Sequence, residues 1–472
     1  MQGAHHPNMT WLSSRHIMHI SWWLIAASSL LFAFVFPLPA IAVEPHEFTL
    51  SNGMKVLLVE VPKAPVATVQ VWYKVGSRNE VMGRAGLSHM LEHMMFKGTA
   101  KYPKGTFSRL IRKNGGMDNA FTSQDFTAYF ENLAADRVKL ALELEADRMQ
   151  GLILEMSELT TEREVVKEER RLRTEDDPQG ALVEALFAQA YLSHPYHWPV
   201  IGWFGDLDAM TLDDLQRHYD TYYSPNNATL VVVGDIKADS LLSTIKQLFE
   251  PIPRGPEPKP ITAMESEQKG ERRFLLKRDA QVPFVMMGYR VPNFTSEDSY
   301  ALDILDSILS HGKSSRLYQN LVYEQKSSLA VGAEYSLLQT DPGLFYFYAL
   351  VSPGQKPEVV EEALHREIKR LQTDPPTELE LQRAKNQVEA IHVFEQDSNF
   401  RHAMLLGQAE SVGAGWRKIN QFVERIRAVT TTDIQRVARQ YLTEDNRTVG
   451  TLVPVPPKQP ETPPTAAQQG RP

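Results

Sequence analysis

Residues 210–233 read MTLDDLQRHYDTYYSPNNATLVVV, and residues 429–452 read VTTTDIQRVARQYLTEDNRTVGTL. Aligned without a gap, they share Thr211/Thr430, Asp214/Asp433, Gln216/Gln435, Arg217/Arg436, Tyr222/Tyr441, Asn227/Asn446 and Thr229/Thr448, every pair 219 positions apart. Each segment reads as a helix opened by a Thr cap, then a turn, then a β-run. The offset is close to half of the 430 residues that follow position 42 (472 − 42). Both halves also open alike. KVLLVEVPKAPVATVQVWYKV (55–75) and RFLLKRDAQVPFVMMGYRV (273–291) each hold two β-rich runs around a short charged or Pro-containing turn. The pattern is that of a duplication. Within a half the order is strands, helix, more strands (GGMDNAFTSQDFTAYFENL, 115–133), then a long helical stretch over 134–175. Strands grouped with helices, without regular alternation, predict an α+β fold: two homologous domains, each a mostly antiparallel sheet with helices over one face.

The expected domains are 43–250 and 268–453, joined by a Pro-rich linker over 251–267 that opens PIPRGPEPKP. From residue 454 the chain is polar and Pro-rich, a tail unable to bury a core. At the other end, residues 20–36 read ISWWLIAASSLLFAFVF without a charge, preceded by Arg15 and followed by PLPAIA. That is a signal-peptide pattern with an Ala40-x-Ala42 cleavage site, so residues 1–42 predict export, to the periplasm. The alternative is an uncleaved anchor helix, since 17 apolar residues reach the lower edge of a membrane span. Either way, the membrane is a partner only through that segment. A formal charge of −8 with no long Lys/Arg run argues against nucleic acid as a partner. The absence of cysteine excludes thiolate nucleophiles and every Cys-ligated metal site. Any metal must be held by His and carboxylates.

GLSHMLEHMMFKG (86–98) supplies such a set: His89-x-x-Glu92-His93. On a helix His89 and His93 are i and i+4, one turn apart on the same face, and Glu92 flanks the same spot. Two neutral imidazoles can bind Zn²⁺, and a carboxylate beside it can take a proton from water. Leu87, Met90, Leu91 and Met94 would seat this helix in the core. A catalytic zinc needs a third protein ligand. The acidic run Glu162, Glu164, Glu168 and Glu169 offers one; Glu162 and Glu169, seven apart, share a face, but spacing does not choose Glu169 over Glu168. The pair His194 and His197 in SHPYHW is interrupted by Pro195 and reads as a turn.

These blocks resemble the pitrilysin-type inverzincins, the family of mitochondrial processing peptidase and insulin-degrading enzyme. The likeness covers roughly residues 47–453. It rests on GLSHMLEHMMFKGT, GGMDNAFTSQDFTAYF, TEREVVKEERRLRTEDDP, YYSPNNATLVVVGD and SSRLYQNLVYEQKSSLA. The resemblance implies a zinc metalloendopeptidase with one Zn²⁺ per chain. It implies His89, His93 and Glu169 as metal ligands, Glu169 standing 76 residues past His93 (169 − 93). Glu92 becomes the general base and Glu162 a carboxylate that orients a ligand. Asn119 and Ala120 would lie on an edge strand that takes an extended peptide by strand addition, inside a chamber that favours peptides or unfolded polypeptide. One departure stands out. Relatives that act alone carry an Arg and a Tyr in the second half to grip substrate; here Tyr323 and Val331 occupy those positions. Shifted by 219, His89 and His93 fall on Ile308 and Gly312, so the second half lacks the metal set. The expectation is a heterodimer whose homologous partner carries the gripping pair. The alternative is a catalytically silent or structural subunit of such a pair.

Overall fold

The computed structural model describes residues 44–455; the expected leader and all but the first two residues of the expected tail lie outside the described residues. Eleven strands form two sheets among the described residues. The first comprises β1 (His46–Thr49), β2 (Lys55–Glu60), β3 (Val66–Tyr73), β4 (Met117–Thr122), β5 (Thr127–Ala134) and β6 (Ala228–Gly234), in the order β1-β2-β6-β3-β5-β4. The second comprises β7 (Arg272–Asp279), β8 (Phe284–Val291), β9 (Ser328–Glu334), β10 (Gly343–Val351) and β11 (Arg447–Val455), in the order β7-β11-β8-β10-β9. All pairings are antiparallel except β2 with β6 and β7 with β11. Apart from β1, the two orders superimpose, strand for strand. The fold is α+β with two sheets of the same topology.

The residues shared by the two echoing segments are the ones that shape this unit. Thr211 and Asp214 exchange capping bonds (Asp214 N to Thr211 Oγ1, 3.2 Å; Thr211 N to Asp214 Oδ2, 3.0 Å), and Thr430 and Asp433 do the same at 3.1 and 3.0 Å. Each box satisfies N–H groups that a helix start leaves open. Asn227 Nδ2 donates to Tyr222 O at 2.9 Å, and Asn446 Nδ2 to Tyr441 O at 2.8 Å, which closes the turn into β6 and β11. Residues 253–269, between the sheets, hold no helix or strand.

Helices cover both faces of each sheet, not one. The second face of each sheet is covered by a helix from the other half of the chain. Leu182 and Leu186 of the helix Pro178–Ala190 pack on Phe284, Met286 and Leu452 of the second sheet. Ala403 and Leu406 of the helix Asn399–Ser411 pack, with Trp416, on Leu57, Trp72 and Val231 of the first. The reason lies in the strands. β6 is buried at every residue, so an open face would leave Val231 and Val233 in water. The stretch 134–175 is also not one helix. It breaks into Val138–Gly151 and Met156–Arg170, with a π-turn over Arg171–Glu175. The break falls where Thr99 bridges Leu152 and Ile153 N donates to Gly98 O (3.1 Å). Among the described residues no helix is long and apolar enough to cross a membrane.

Candidate metal centre

The helix Leu87–Met94 begins at Gly86, whose φ of 90° suits glycine. A Cβ there would meet Ile201 O at 2.7 Å and the Cα of Gly202 at 2.8 Å, so glycine is also required by the close approach of that segment. The Glu80 carboxyl accepts from Gly86 N and Ser88 N, both at 2.7 Å, and so satisfies N–H groups that the helix start leaves open. Met90, Leu91 and Met94 are fully buried beneath. His89 and His93 are thereby turned to one side, their ring centroids 4.8 Å apart.

The facing helix, Met156–Arg170, buries Leu159, Glu162 and Val166. Its Glu169 brings Oε2 to 3.7 Å from His89 Nε2 and 3.4 Å from His93 Nε2. Atoms bound to one tetrahedral Zn²⁺ at ~2.0–2.2 Å stand about 3.3–3.6 Å apart. The donor set, two imidazole nitrogens and a carboxylate, therefore fits that ion in type, and its two carboxylate–imidazole spacings lie close to that range. Among the described residues it is the one group of three or more such side chains whose ligand atoms cluster, all within 4.8 Å. Of the two neighbouring carboxylates, Glu169 is the one that faces the histidines, while Glu168 is exposed and pairs with Arg171 at 2.6 Å.

Glu162 Oε2 lies 3.1 Å from His93 Nδ1, and its other oxygen accepts from Lys97. Nδ1 of His93 is so engaged that Nε2 faces Glu169. Burial, and next the neighbouring His93, pushes His89 down to about 4, so its ring is neutral near pH 7. Burial opposes a charge on His93 too, but Glu169 and Glu162 outweigh it and raise that ring above its ordinary value. Glu92 is on the same side of the helix, and Thr122 Oγ1 donates to its Oε2 at 2.5 Å. Burial pushes the Glu92 carboxyl up, against that hydrogen bond. A cavity of about 730 Å³ opens over these groups, walled by Phe121, Val183, Phe187 and Trp198.

Asn119 and Ala120 line this cavity on β4, the outer strand of its sheet, which pairs only with β5 among the described strands. His194 and His197 stand apart from the centre: His194 caps, and His197 ends, the turn Pro195–His197, and His197 reaches only the cavity wall. Ile308 is buried in the second half and Gly312 follows the end of the helix Asp298–Ser310, so nothing there repeats the centre. Tyr323 is 69% exposed and Val331 lies on β9. Sequence reasoning missed Thr122, Lys97 and Arg173, whose guanidinium lies 2.8 Å from Glu169 Oε1. Lys97, four residues past His93, had a helical-spacing signal; Thr122 had none, because its partner comes from another element.

Residues 55–202 match the family model described as insulinase (peptidase family M16), and residues 209–388 match the one described as peptidase M16 inactive domain. Zinc protease PqqE of Helicobacter pylori is 34% identical over 415 residues, which cover 87% of this chain and 93% of that protein. An uncharacterized zinc protease of Mycobacterium tuberculosis is 30% identical over 406 residues, 86% of this chain and 92% of that one. The crystal structure of a protease from Helicobacter pylori superimposes with a TM-score of 0.83 at 34% identity, over 87% of this chain and 100% of the other. With matching models along both halves and relatives of this closeness over nearly their full length, the chain belongs to peptidase family M16, the insulinase family.

Proposed function

We propose that this chain is an exported zinc endopeptidase, with the metal-bearing unit in residues 43–250, a metal-free homologous unit in 268–453, and 251–267 joining them. The observation that carries the reading is the convergence of His89 Nε2, His93 Nε2 and a Glu169 oxygen on one point, with the Glu92 carboxylate beside it in the same cavity. The names of its relatives, zinc proteases, support it. Bound Zn²⁺ supplies Lewis acidity toward water and the scissile carbonyl. The chain's own residues do the rest. An extended peptide lies along β4, hydrogen-bonded to the backbone around Asn119 and Ala120, which gives affinity with little sequence demand. Glu92, aimed by Thr122, takes a proton from the attacking water and returns it to the leaving amine. Glu162 keeps His93 oriented through Nδ1. Phe121, Val183, Phe187 and Trp198 supply apolar wall to the cavity against which substrate side chains can pack.

The substrate-gripping pair is supplied, in this reading, by a homologous partner subunit, because Tyr323 and Val331 cannot act as Arg and Tyr. The chain alone should then hydrolyse peptides far more slowly than the reconstituted pair. Equal rates would end the heterodimer idea. The second reading is a silent subunit; the inactive-domain description belongs to residues 209–388, which hold none of the metal centre, and so fits either reading. The deciding experiment is metal analysis plus peptide-library digestion on protein purified from its native envelope fraction, with and without a chelator. Glu92→Gln should retain zinc and lose hydrolysis by about 10²–10⁴-fold. Full activity in that variant refutes the base, and no activity in the zinc-loaded, partner-complete protein refutes the peptidase.

A further inference from the structure

The SHPYHW turn, no part of the metal centre, is where the second half of the chain meets the segment that goes on to wall the cavity. Glu265 accepts from the backbone N–H of Leu192, Ser193 and His194 at 2.8, 2.8 and 3.0 Å. His194 Nδ1 accepts from Tyr196 N at 3.2 Å, so Nε2 carries the proton and donates to Asp341 Oδ2 at 3.0 Å. The same Asp341 oxygen accepts from Arg78, whose Nε lies 3.5 Å from Asp125 Oδ1. Tyr196 Oη donates to the Asp125 carboxylate (2.8 Å) and accepts from Asp341 N (3.1 Å), while Thr340 N donates to Asp125 Oδ2 (3.1 Å). Asp125, His194 and Tyr196 are all buried, so these bonds form in a low-dielectric setting where geometry is strictly held.

Two paths lead from this cluster to the chemistry. Asp125 is in the bend between β4 and β5, three residues from the Thr122 that donates to Glu92. That bend is fastened again by Ser77 N on Ser123 O (3.1 Å) and Arg78 N on Gln124 O (3.0 Å). From Tyr196 the chain runs through Trp198 to Ile201, which wall the cavity, and arrives at Gly202 against Gly86, the start of the histidine helix. A shift at Asp341 thus moves both the base-holding strand and the wall opposite it.

We propose that Asp341, acting with Tyr196, is a positioning residue: from the second half of the chain it sets where the β4–β5 bend and the 194–201 wall stand relative to Glu92 and the metal ligands. The assignment rests on the hydrolytic reading and goes beyond it, giving the metal-free half a task in the reaction. The test compares Asp341→Asn and Tyr196→Phe with Glu410→Gln in the full chain, together with any co-purifying subunit. Glu410→Gln breaks a different link between the halves, the 2.7 Å pair with Lys55. Tyr196→Phe removes a single hydroxyl and guards against loss of folding in Asp341→Asn. Zinc content, melting temperature, kcat and KM on a fluorogenic peptide, and amide exchange of Ser123 and Phe126 are read for each. The two clamp variants should keep their zinc and lose roughly 10- to 100-fold in kcat, the cost of about 1 Å of misplacement, with a smaller change in KM. Their Ser123 and Phe126 amides should exchange faster, and Glu410→Gln should do neither. Wild-type kcat and exchange in the clamp variants, or an equal kcat loss in Glu410→Gln, overturns the proposal. A wild-type protein without hydrolysis overturns the peptidase reading instead, and the exchange comparison then decides the clamp alone.

Discussion

Thr122 and Glu92 come from a strand edge and a helix, and their 2.5 Å hydrogen bond is the shortest path by which the sheet aims the proposed base. A bond to a charged acceptor contributes about 1.5–3 kcal/mol. Thr122→Val should therefore lower kcat by roughly 10-fold or more with KM little changed, measured by steady-state peptide hydrolysis. A second residue-scale prediction concerns Arg148, fully buried over the rings of Tyr129 (4.2 Å) and Phe107 (4.4 Å). Its Nε donates to Glu145 Oε2 at 3.0 Å, and a terminal nitrogen stands 3.6 Å from Glu131 Oε1. Burial, with Glu145 beside it, raises Glu131 well above the carboxylate range. Arg148→Ala should cost about 3–5 kcal/mol by leaving Glu145 unpaired. Glu131→Gln, replacing a carboxyl already neutral, should cost under about 1 kcal/mol. Urea unfolding of both variants separates the two expectations; equal losses would contradict the assigned protonation.

Among the elements, the helix Asn399–Ser411 shows how the halves interlock. Gly407 faces the buried Trp72, and a Cβ there would stand 2.1 Å from the indole Nε1, which itself donates to Gln70 Oε1 at 3.0 Å. Alanine at a helical glycine ordinarily gains about 1 kcal/mol. Here overpacking against a fixed indole, about 1–3 kcal/mol, outweighs that gain. Gly407→Ala should lower the melting temperature in a thermal scan, and a rise would mean that the helix does not lie this close. The helix–turn–strand unit was readable beforehand because its determinants are local. Thr211, Asp214 and Asn227 act within five residues of themselves, as do Thr430, Asp433 and Asn446. The break at 152–155 was not readable, since it depends on the distant Gly98 and Thr99.

For the whole molecule, acid stability follows from groups in both halves. Burial holds His218 down to about 3, below its ordinary 6.5, so the unfolded chain binds that proton first and stability falls as pH drops from 6.5 toward 3. Arg316 holds Glu380 at about 2; burial works against Glu361, but His365 and Arg273 outweigh it and hold it at about 2 as well. Their stabilisation is complete above the ordinary 4.5 and is lost as pH falls through 2. Buried Glu80 (about 8) and half-buried Asp303 (about 7), each raised chiefly by desolvation, act in the opposite sense, losing stability as pH rises from their ordinary values, and add nothing further below pH 4. The melting temperature should therefore fall steeply below pH 4.5, as read by calorimetry. Arg316→Gln should lower it at neutral pH and leave it unchanged below about pH 2. An equal decrease at both pH values would rule out the ion pair as the source.

The sequence by itself determined the repeated unit, the α+β class, and the two histidines with their neighbouring Glu92. Each depends on side chains a few residues apart, where helix and strand periodicity dictate direction. Glu169, left open by spacing and implied by the family resemblance, is the carboxylate that turns toward the imidazoles; only the tertiary structure decided that Thr122 holds Glu92 and that each half lends a helix to the other's sheet. Those outcomes depend on which surfaces meet after collapse, and contacts between residues 30 or more positions apart leave no periodic trace in one chain. Glu168 and Glu169 are neighbours in sequence, yet one faces water and the other the histidines; a rotation of about 100° along a helix makes that difference, and the packing of the helix selects the angle.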